Sequence, residues 1–289
     1  MKIFKTKTEI RNYTRLRKLN GEICGFVPTM GYLHQGHLSL MDISITRSDF
    51  TVVSIFVNPM QFSPTEDLET YPVDIETDLN LLREKGVAAV FIPSVSEIYG
   101  ESFQTQVSVT RISLPLCGAS RGVSHFTGVS TVVLKLFNII NPDIAVFGKK
   151  DFQQLAVIKR MVKDLDLEVE IISGETVREK NGLAMSSRNS YLNANERKQA
   201  PVIQEALKEG KFFRLNTSTD SVSVEKHIIN QIRSNAPDSR IDYIKCLDAD
   251  TLEDTSPETD NILLAAAVFL GKTRLIDNIV FSVKSVEKS

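Results

Sequence analysis

Cysteine is scarce: the 289-residue chain has three, Cys24, Cys117 and Cys246, odd in number and far apart, with no CxxC or Cys/His spacing. That excludes a disulfide framework and a cysteine-bound zinc site, and predicts reduced, buried thiols. An excess of one charge is also missing. Lys and Arg total 34 against 36 Asp and Glu, a net charge of −2. Nothing global therefore draws the chain to nucleic acid or to an anionic membrane, and any bound anion needs a local site. No basic stripe is interleaved with aromatics. No run reaches the ~18 apolar residues of a membrane span, and the opening MKIFKTKTEIRNY has no apolar signal core, so the expected compartment is the cytoplasm. A serine elbow, a paired cysteine and histidine, and internal repeats are absent too, which argues against a side-chain nucleophile.

What is present is a regular alternation. CGFVP (24–28), TVVSIFV (51–57), AAVFIP (88–93), DIAVFG (143–148) and EVEIIS (168–173) are short apolar runs of the kind buried on both faces of a parallel sheet. Helical patterns lie between them. Leu38, Met41 and Ile45 share one stripe; DIETDLNLLREKG stops at the glycine after Lys85; GVSTVVLKLFNIINPD closes at Pro142; Leu155, Ile158 and Val162 recur at helical spacing. The fold class predicted is α/β, a doubly wound, Rossmann-like parallel sheet. Past about residue 176 the texture changes. Asn193 and Glu196 form a capping-box pattern, VEKHIINQIRSN reads as an amphipathic helix, and IDYIKCLDA and NILLAAAVFLGKTRLIDNIVF read as strands, the second a hairpin turning at Gly271-Lys272. The polar RLNTSTDSVS (214–223) reads as a surface loop. The expected domains are 1–176, binding nucleotide and substrate, and 177–289, a smaller α+β domain.

In an open α/β sheet, ligands bind beyond the carboxyl ends of the strands. The first exit, PTMGYLHQGHLSL, turns through Gly31 and Gly36 and enters a helix at about His37. Three readings of His34 and His37 compete: metal ligands, a packed turn, or donors to an anion at a helix mouth. The spacer Gln-Gly offers no partner carboxylate for a metal, and the helix terminus favours phosphate. In GLAMSSRNSYL (182–192), Ser186, Ser187 and Arg188 set two hydroxyls beside a guanidinium, suited to phosphate oxygens or simply to an N-terminal helix turn. FGKKDFQQL (147–155) puts Lys149 and Lys150 past a strand end, with Asp151 able to accept from ribose hydroxyls or to cap the next helix. Gln61, Gln153 and Gln154 are neutral amides suited to a polar substrate.

HQGH followed far downstream by MSSRN is similar to the HIGH and KMSKS pair of the class I nucleotidyl-transferase superfamily. With SIFVNPMQF, GVSTVVLKLFNIINPDIAVFG, KDFQQL, GLAMSSRNSYL and RLIDN, spanning residues 27–278, the chain resembles the pantoate–β-alanine ligases. The resemblance implies an AMP-forming ligation in which ATP and pantoate give a pantoyl adenylate and pyrophosphate, and β-alanine then displaces AMP to give pantothenate.

It also implies roles. Met30, His34, His37, Lys150, Ser186, Ser187 and Arg188 would meet ATP phosphates, with His37, Lys150 and Arg188 catalytic. Gly148 and Asp151 would bind ribose, Val177 would line the adenine pocket, and Gln61 and Gln154 would hold pantoate. Asp78 would lie near Mg²⁺. A homodimer in the cytoplasm is implied, its smaller domain covering the site. Departures from the family pattern are RGVSHF (121–126), one residue longer and without a proline, which leaves the role of His125 open, and Lys149, Val73 and Asn181 where Glu, Arg and Asp are common. The rival readings are another nucleotidyl transferase of the superfamily, which need not carry the Gln61 and Gln154 pair, and a nucleotide-binding regulator without turnover.

Overall fold

The computed structural model describes residues 1–63, 68–217 and 220–284. The chain forms two compact units. One comprises Met1–Leu114, Arg121–Lys149 and Gln154–Glu175; the other comprises Pro115–Ser120, Lys150–Gln153 and the chain from Thr176 onward.

The first unit holds a parallel sheet of β1 (Lys2–Phe4), β2 (Cys24–Thr29), β3 (Phe50–Ile55), β4 (Ala89–Phe91), β5 (Ile144–Gly148) and β6 (Glu170–Gly174), ordered β1-β4-β3-β2-β5-β6. All five predicted runs are strands. The sixth, β1, is a three-residue edge strand too short and too exposed to carry a pattern. The helices up to residue 164 are α1 (Lys7–Leu19), α2 (Gln35–Arg47), α3 (Ile75–Glu84), α4 (Val95–Ile98), α5 (Cys117–Arg121), α6 (Val123–Ile140) and α7 (Phe152–Asp164).

Side chains alternate across a strand, and here both sets are buried. Phe26, Val52, Phe91 and Ala145 join the core under α6 and α7; their neighbours Val27, Val53, Val90 and Val146 join the core under α2 and α3. That two-sided burial is why the runs are continuously apolar. The strand order reverses beside β2, whose neighbours are β3 and β5, so the crevice expected of such a sheet opens past the ends of β2 and β5.

Helix α6 has 18 residues of mean hydropathy 1.4, long and apolar enough to cross a bilayer, yet 67% of it is buried in the protein. Phe137 on α6 meets the rings of Phe26 and Phe147 edge-on, at 6.3 and 6.4 Å. It is the central core helix of this unit. Asn141, in the left-handed region at φ 50°, ends it before Pro142.

The second unit has an antiparallel sheet of β7 (Arg240–Asp248), β8 (Asn261–Leu270) and β9 (Thr273–Ser282), with β8 central and the hairpin turning at Gly271 and Lys272 as predicted. Its helices are α8 (Ala194–Gln199), capped by Asn193 with Glu196 reciprocating, α9 (Val202–Asn216) and α10 (Ser221–Asn235). The predicted loop 214–223 is mostly consumed by the ends of α9 and α10; its residues 218–219 lie outside the described residues. Cys24, Cys117 and Cys246 are free and buried.

Candidate active site

The turn after β2 is fixed by backbone capture. Gly31 and Tyr32 both have positive φ, 86° and 51°, and the loop is held by Asp78 on α3. One carboxylate oxygen accepts the Tyr32 N–H at 2.8 Å and the other the Leu33 N–H at 2.7 Å. Asp78 is 1% exposed. Burial raises its pKa above the ordinary carboxylate value, while the two amides pull it back down. Residue 31 must be small, because a Cβ there would sit 3.0 Å from the Asp78 carboxylate and from Ile55.

Helix α2 begins at Gln35, two residues earlier than predicted, with His34 as its N-cap. The His34 Nδ1 accepts the Gly36 N–H at 3.1 Å, and the His37 Nδ1 accepts the His34 N–H at 3.3 Å. This is a capping box built from two imidazoles, their rings 4.1 Å apart. An imidazole nitrogen that accepts an N–H carries no proton, so each neutral ring bears its proton on Nε2. The turn thus sets two Nε2–H donors at a helix N-terminus, the arrangement an anion favours.

A second cluster in this unit surrounds Gln61. Its amide nitrogen donates to the Met30 sulfur at 3.0 Å, and its amide oxygen accepts from Asn58 Nδ2 at 3.1 Å. Asn58 is 1% exposed; it also donates to the Gly128 carbonyl at 3.1 Å and accepts the Tyr99 hydroxyl at 2.8 Å. Burial pushes the Tyr99 phenol well above its usual range, which keeps it a donor. His125, open in the sequence, sits in the first turn of α6. Its Nε2 lies 3.0 Å from Arg121 Nη1 and its Nδ1 lies 2.7 Å from the Gln61 carbonyl. Arginine can only donate, so Nε2 accepts and Nδ1–H donates to Gln61. The longer RGVSHF segment therefore still delivers a histidine, which fixes the Gln61 backbone. Asn58 and Tyr99 went unnoticed in the sequence; the Asn-Pro pair at 58–59, a turn-capping signal, was the available hint.

The other predicted residues divide between the units. Gly148 ends β5, and Gln154 is half-buried in the first turn of α7. Lys149 pairs with Glu175 past the end of β6. In the second unit, Lys150 lies 3.8 Å from Asp151, whose side chain is half-exposed. Gln153 is corrected from a substrate amide to a structural one: 5% exposed, it accepts the Cys117 N–H at 2.9 Å and donates to the Pro115 carbonyl.

Ser186 caps a short 3₁₀ turn, Ser187–Tyr191, its hydroxyl accepting the Arg188 N–H at 3.3 Å. The turn is braced by Asn189, which donates to Glu179 and to the Ala184 carbonyl, both at 3.1 Å. Arg197 grips the same Glu179 with two 2.8 Å bonds. Val177 accepts the Met185 N–H at 3.0 Å, tying the base of this hairpin-like segment.

The family model for pantoate–β-alanine ligase matches residues 2–280. The chain belongs to the pantoate–β-alanine ligases. It is 51% identical over 274 residues to the pantothenate synthetase of Thermoanaerobacter sp. (strain X514), covering 95% of this chain and 96% of that one. It is 52% identical over 275 residues to that of Caldicellulosiruptor saccharolyticus, covering 95% and 97%. The crystal structure of pantothenate synthetase from Thermus thermophilus superposes with a TM-score of 0.90 at 40% identity, over 96% of this chain and 99% of that one. A pantoate–β-alanine ligase from Francisella tularensis, described as complexed with β,γ-ATP and β-alanine, matches with a TM-score of 0.79 at 33% identity, over 98% of each chain. As a pantoate–β-alanine ligase, the chain is an enzyme that forms pantothenate from pantoate and β-alanine.

Proposed function

We propose that the ligation runs through an acyl adenylate. A pantoate carboxylate oxygen attacks the α-phosphorus of ATP and displaces pyrophosphate. The amine of β-alanine then adds to the acyl carbon, loses a proton, and expels AMP. A free carboxylate is a poor acyl donor because oxide would have to leave; AMP is a far better leaving group. No protein nucleophile is needed, so positioning and electrostatic stabilisation carry the catalysis.

The observation that carries this reading is the double-histidine cap. Two Nε2–H donors at the mouth of α2 suit the phosphates of a nucleotide, and the Francisella relative's described complex with an ATP analogue and β-alanine agrees in ligand chemistry. In this reading His34, His37, the Met30 backbone, Lys150, Ser186, Ser187 and Arg188 hold phosphates, with His37, Lys150 and Arg188 stabilising charge in the transition state. Gly148 and Asp151 hold ribose, Val177 the adenine, and Gln61 and Gln154 pantoate.

Asp78 does not fit a magnesium site held by protein alone. Both of its oxygens already accept backbone amides, and no group of three metal-ligating side chains occurs among the described residues. Magnesium commonly binds through substrate phosphates, and here it would enter with ATP. A cytoplasmic homodimer completes the reading, the dimer to be checked by light scattering in solution.

The test is direct. Purified protein given ATP, pantoate and β-alanine should release AMP in proportion to pantothenate, and ATP plus pantoate alone should support exchange of labelled pyrophosphate into ATP. Pantothenate formed with ADP instead of AMP, or no turnover at all, would overturn the adenylate route.

A further inference from the structure

The RLIDN segment of β9 takes no part in the site as described, yet two of its residues hold segments that do. Strand β9 is an edge strand, and successive side chains of a strand point to opposite sides. Asp277 therefore faces the same side as the buried Leu275, and is itself 5% exposed. A carboxylate in such a position is costly unless paired. Its partner is Arg178, which donates from Nη1 at 2.6 Å and from Nη2 at 2.9 Å in a two-pronged pair.

Arg178 is committed beyond this pair. Nη1 also donates to the Gly182 carbonyl at 3.1 Å. With its amide turned to satisfy both neighbours, Gln204 accepts from Arg178 Nε at 2.7 Å and donates to Gly182 O at 3.1 Å. Four of the five guanidinium N–H groups are thus engaged, and Arg178 serves the fold of residues 178–184. That hairpin-like segment, bridged Arg178 to Ala184 and turning at Gly182 with φ 95°, runs straight into Ser186, Ser187 and Arg188. The next residue of β9, Asn278, points the other way and donates its amide to the Lys150 carbonyl at 2.9 Å.

We propose that Asp277 and Asn278 are positioning residues for the ligation: two adjacent residues of one strand fix, through Arg178 and through the Lys150 backbone respectively, the two phosphate-binding segments of the second unit. The proposal rests on the adenylate reading. Neither residue touches substrate in it; each acts by holding the segment that does. The alternation of a strand is what lets neighbours in sequence serve segments that lie far apart along the chain, Lys150 and Arg178 to Arg188.

Asn278 is half-buried and Asn278→Ala leaves no charge unpaired, so the variant should fold with a melting temperature close to that of the wild type. The expected result is a fall of about tenfold in the rate of pantoate-dependent pyrophosphate exchange, with KM for pantoate unchanged. In a Lys150→Ala background the same substitution should cost less than about twofold, because residues that act through one another are not additive. Asp277→Asn, which turns one accepting oxygen into a donor against Arg178, should raise KM for ATP about fivefold and leave KM for pantoate alone. An unchanged exchange rate, an equal loss in both backgrounds, or failure of Asn278→Ala to fold would each overturn the positioning role. Wild-type protein that forms pantothenate without pyrophosphate exchange would overturn the adenylate reading, and the positioning role with it.

Discussion

Asp78 and the two histidines act first on the backbone, and their variants should separate that task from chemistry. His34→Asn keeps an N-cap acceptor for the Gly36 N–H but removes the ring donor. It should melt near the wild type while losing more than about tenfold in adenylation, whereas His34→Ala should also lose about 0.5–2 kcal/mol of stability. Thermal melts and pyrophosphate exchange on the two variants check this. Asp78→Ala orphans two amides, each costing about 1–3 kcal/mol when left without a partner, and the freed turn should reduce turnover along with stability.

The Asp78 charge has its own pH signature. Its folded pKa lies above 3.8, so between that value and the raised one the folded state binds more proton than the unfolded chain. Wild-type stability relative to Asp78→Asn should therefore be greatest below 3.8, decline as pH rises through the raised pKa, and then stay level. A difference that grows with pH in denaturant titrations would contradict the assignment.

At the scale of elements, the strand exits were legible because buried parallel strands read as continuous apolar runs, and those exits carry His34, His37, Gln61, Gly148 and Lys150. What held those residues was not legible. Leu33 and its partner Asp78 are 45 residues apart, and Gln61 and His125 are 64 apart; no local pattern encodes such pairs. The same is true of α6 against the 3₁₀ turn Pro59–Gln61. A Cβ at Gly128 would fall 2.3 Å from the Met60 carbonyl oxygen and 2.7 Å from the Gln61 amide nitrogen, both backbone atoms that cannot yield cheaply. Gly128→Ala should destabilise by about 1–3 kcal/mol. Because the displaced turn carries Gln61, KM for pantoate should rise as well, a pairing that calorimetry and kinetics on one preparation would reveal.

At the scale of the whole molecule, the change of texture near residue 176 was readable from the loss of strand–helix alternation. The return of Pro115–Ser120 and Lys150–Gln153 to the second unit was not, because both are short insertions whose allegiance depends on tertiary contacts alone. The scarcity of cysteine also has a measurable side. Burial pushes the Cys24 thiol up to about 12, with Asp143 adding to the effect, and Cys117 and Cys246 are buried as well. Native protein should resist iodoacetamide at about pH 8, and denaturant should expose three reactive thiols per chain, countable by mass spectrometry.

The apolar character of α6 has a consequence during synthesis. The helix is complete at Ile140, but Phe147, which packs on its Phe137, lies on β5, and β5 joins the sheet beside β2 by pairing Ile144 with Gly25 and Ala145 with Phe26. A nascent chain that has just cleared Ile140 from the ribosome can cover this helix with β2, β3 and β4, but not yet with β5 and α7. For about the next thirty residues, at roughly 5–20 residues per second, part of that apolar face stays uncovered. The addition of β5, α7 and β6 completes its burial.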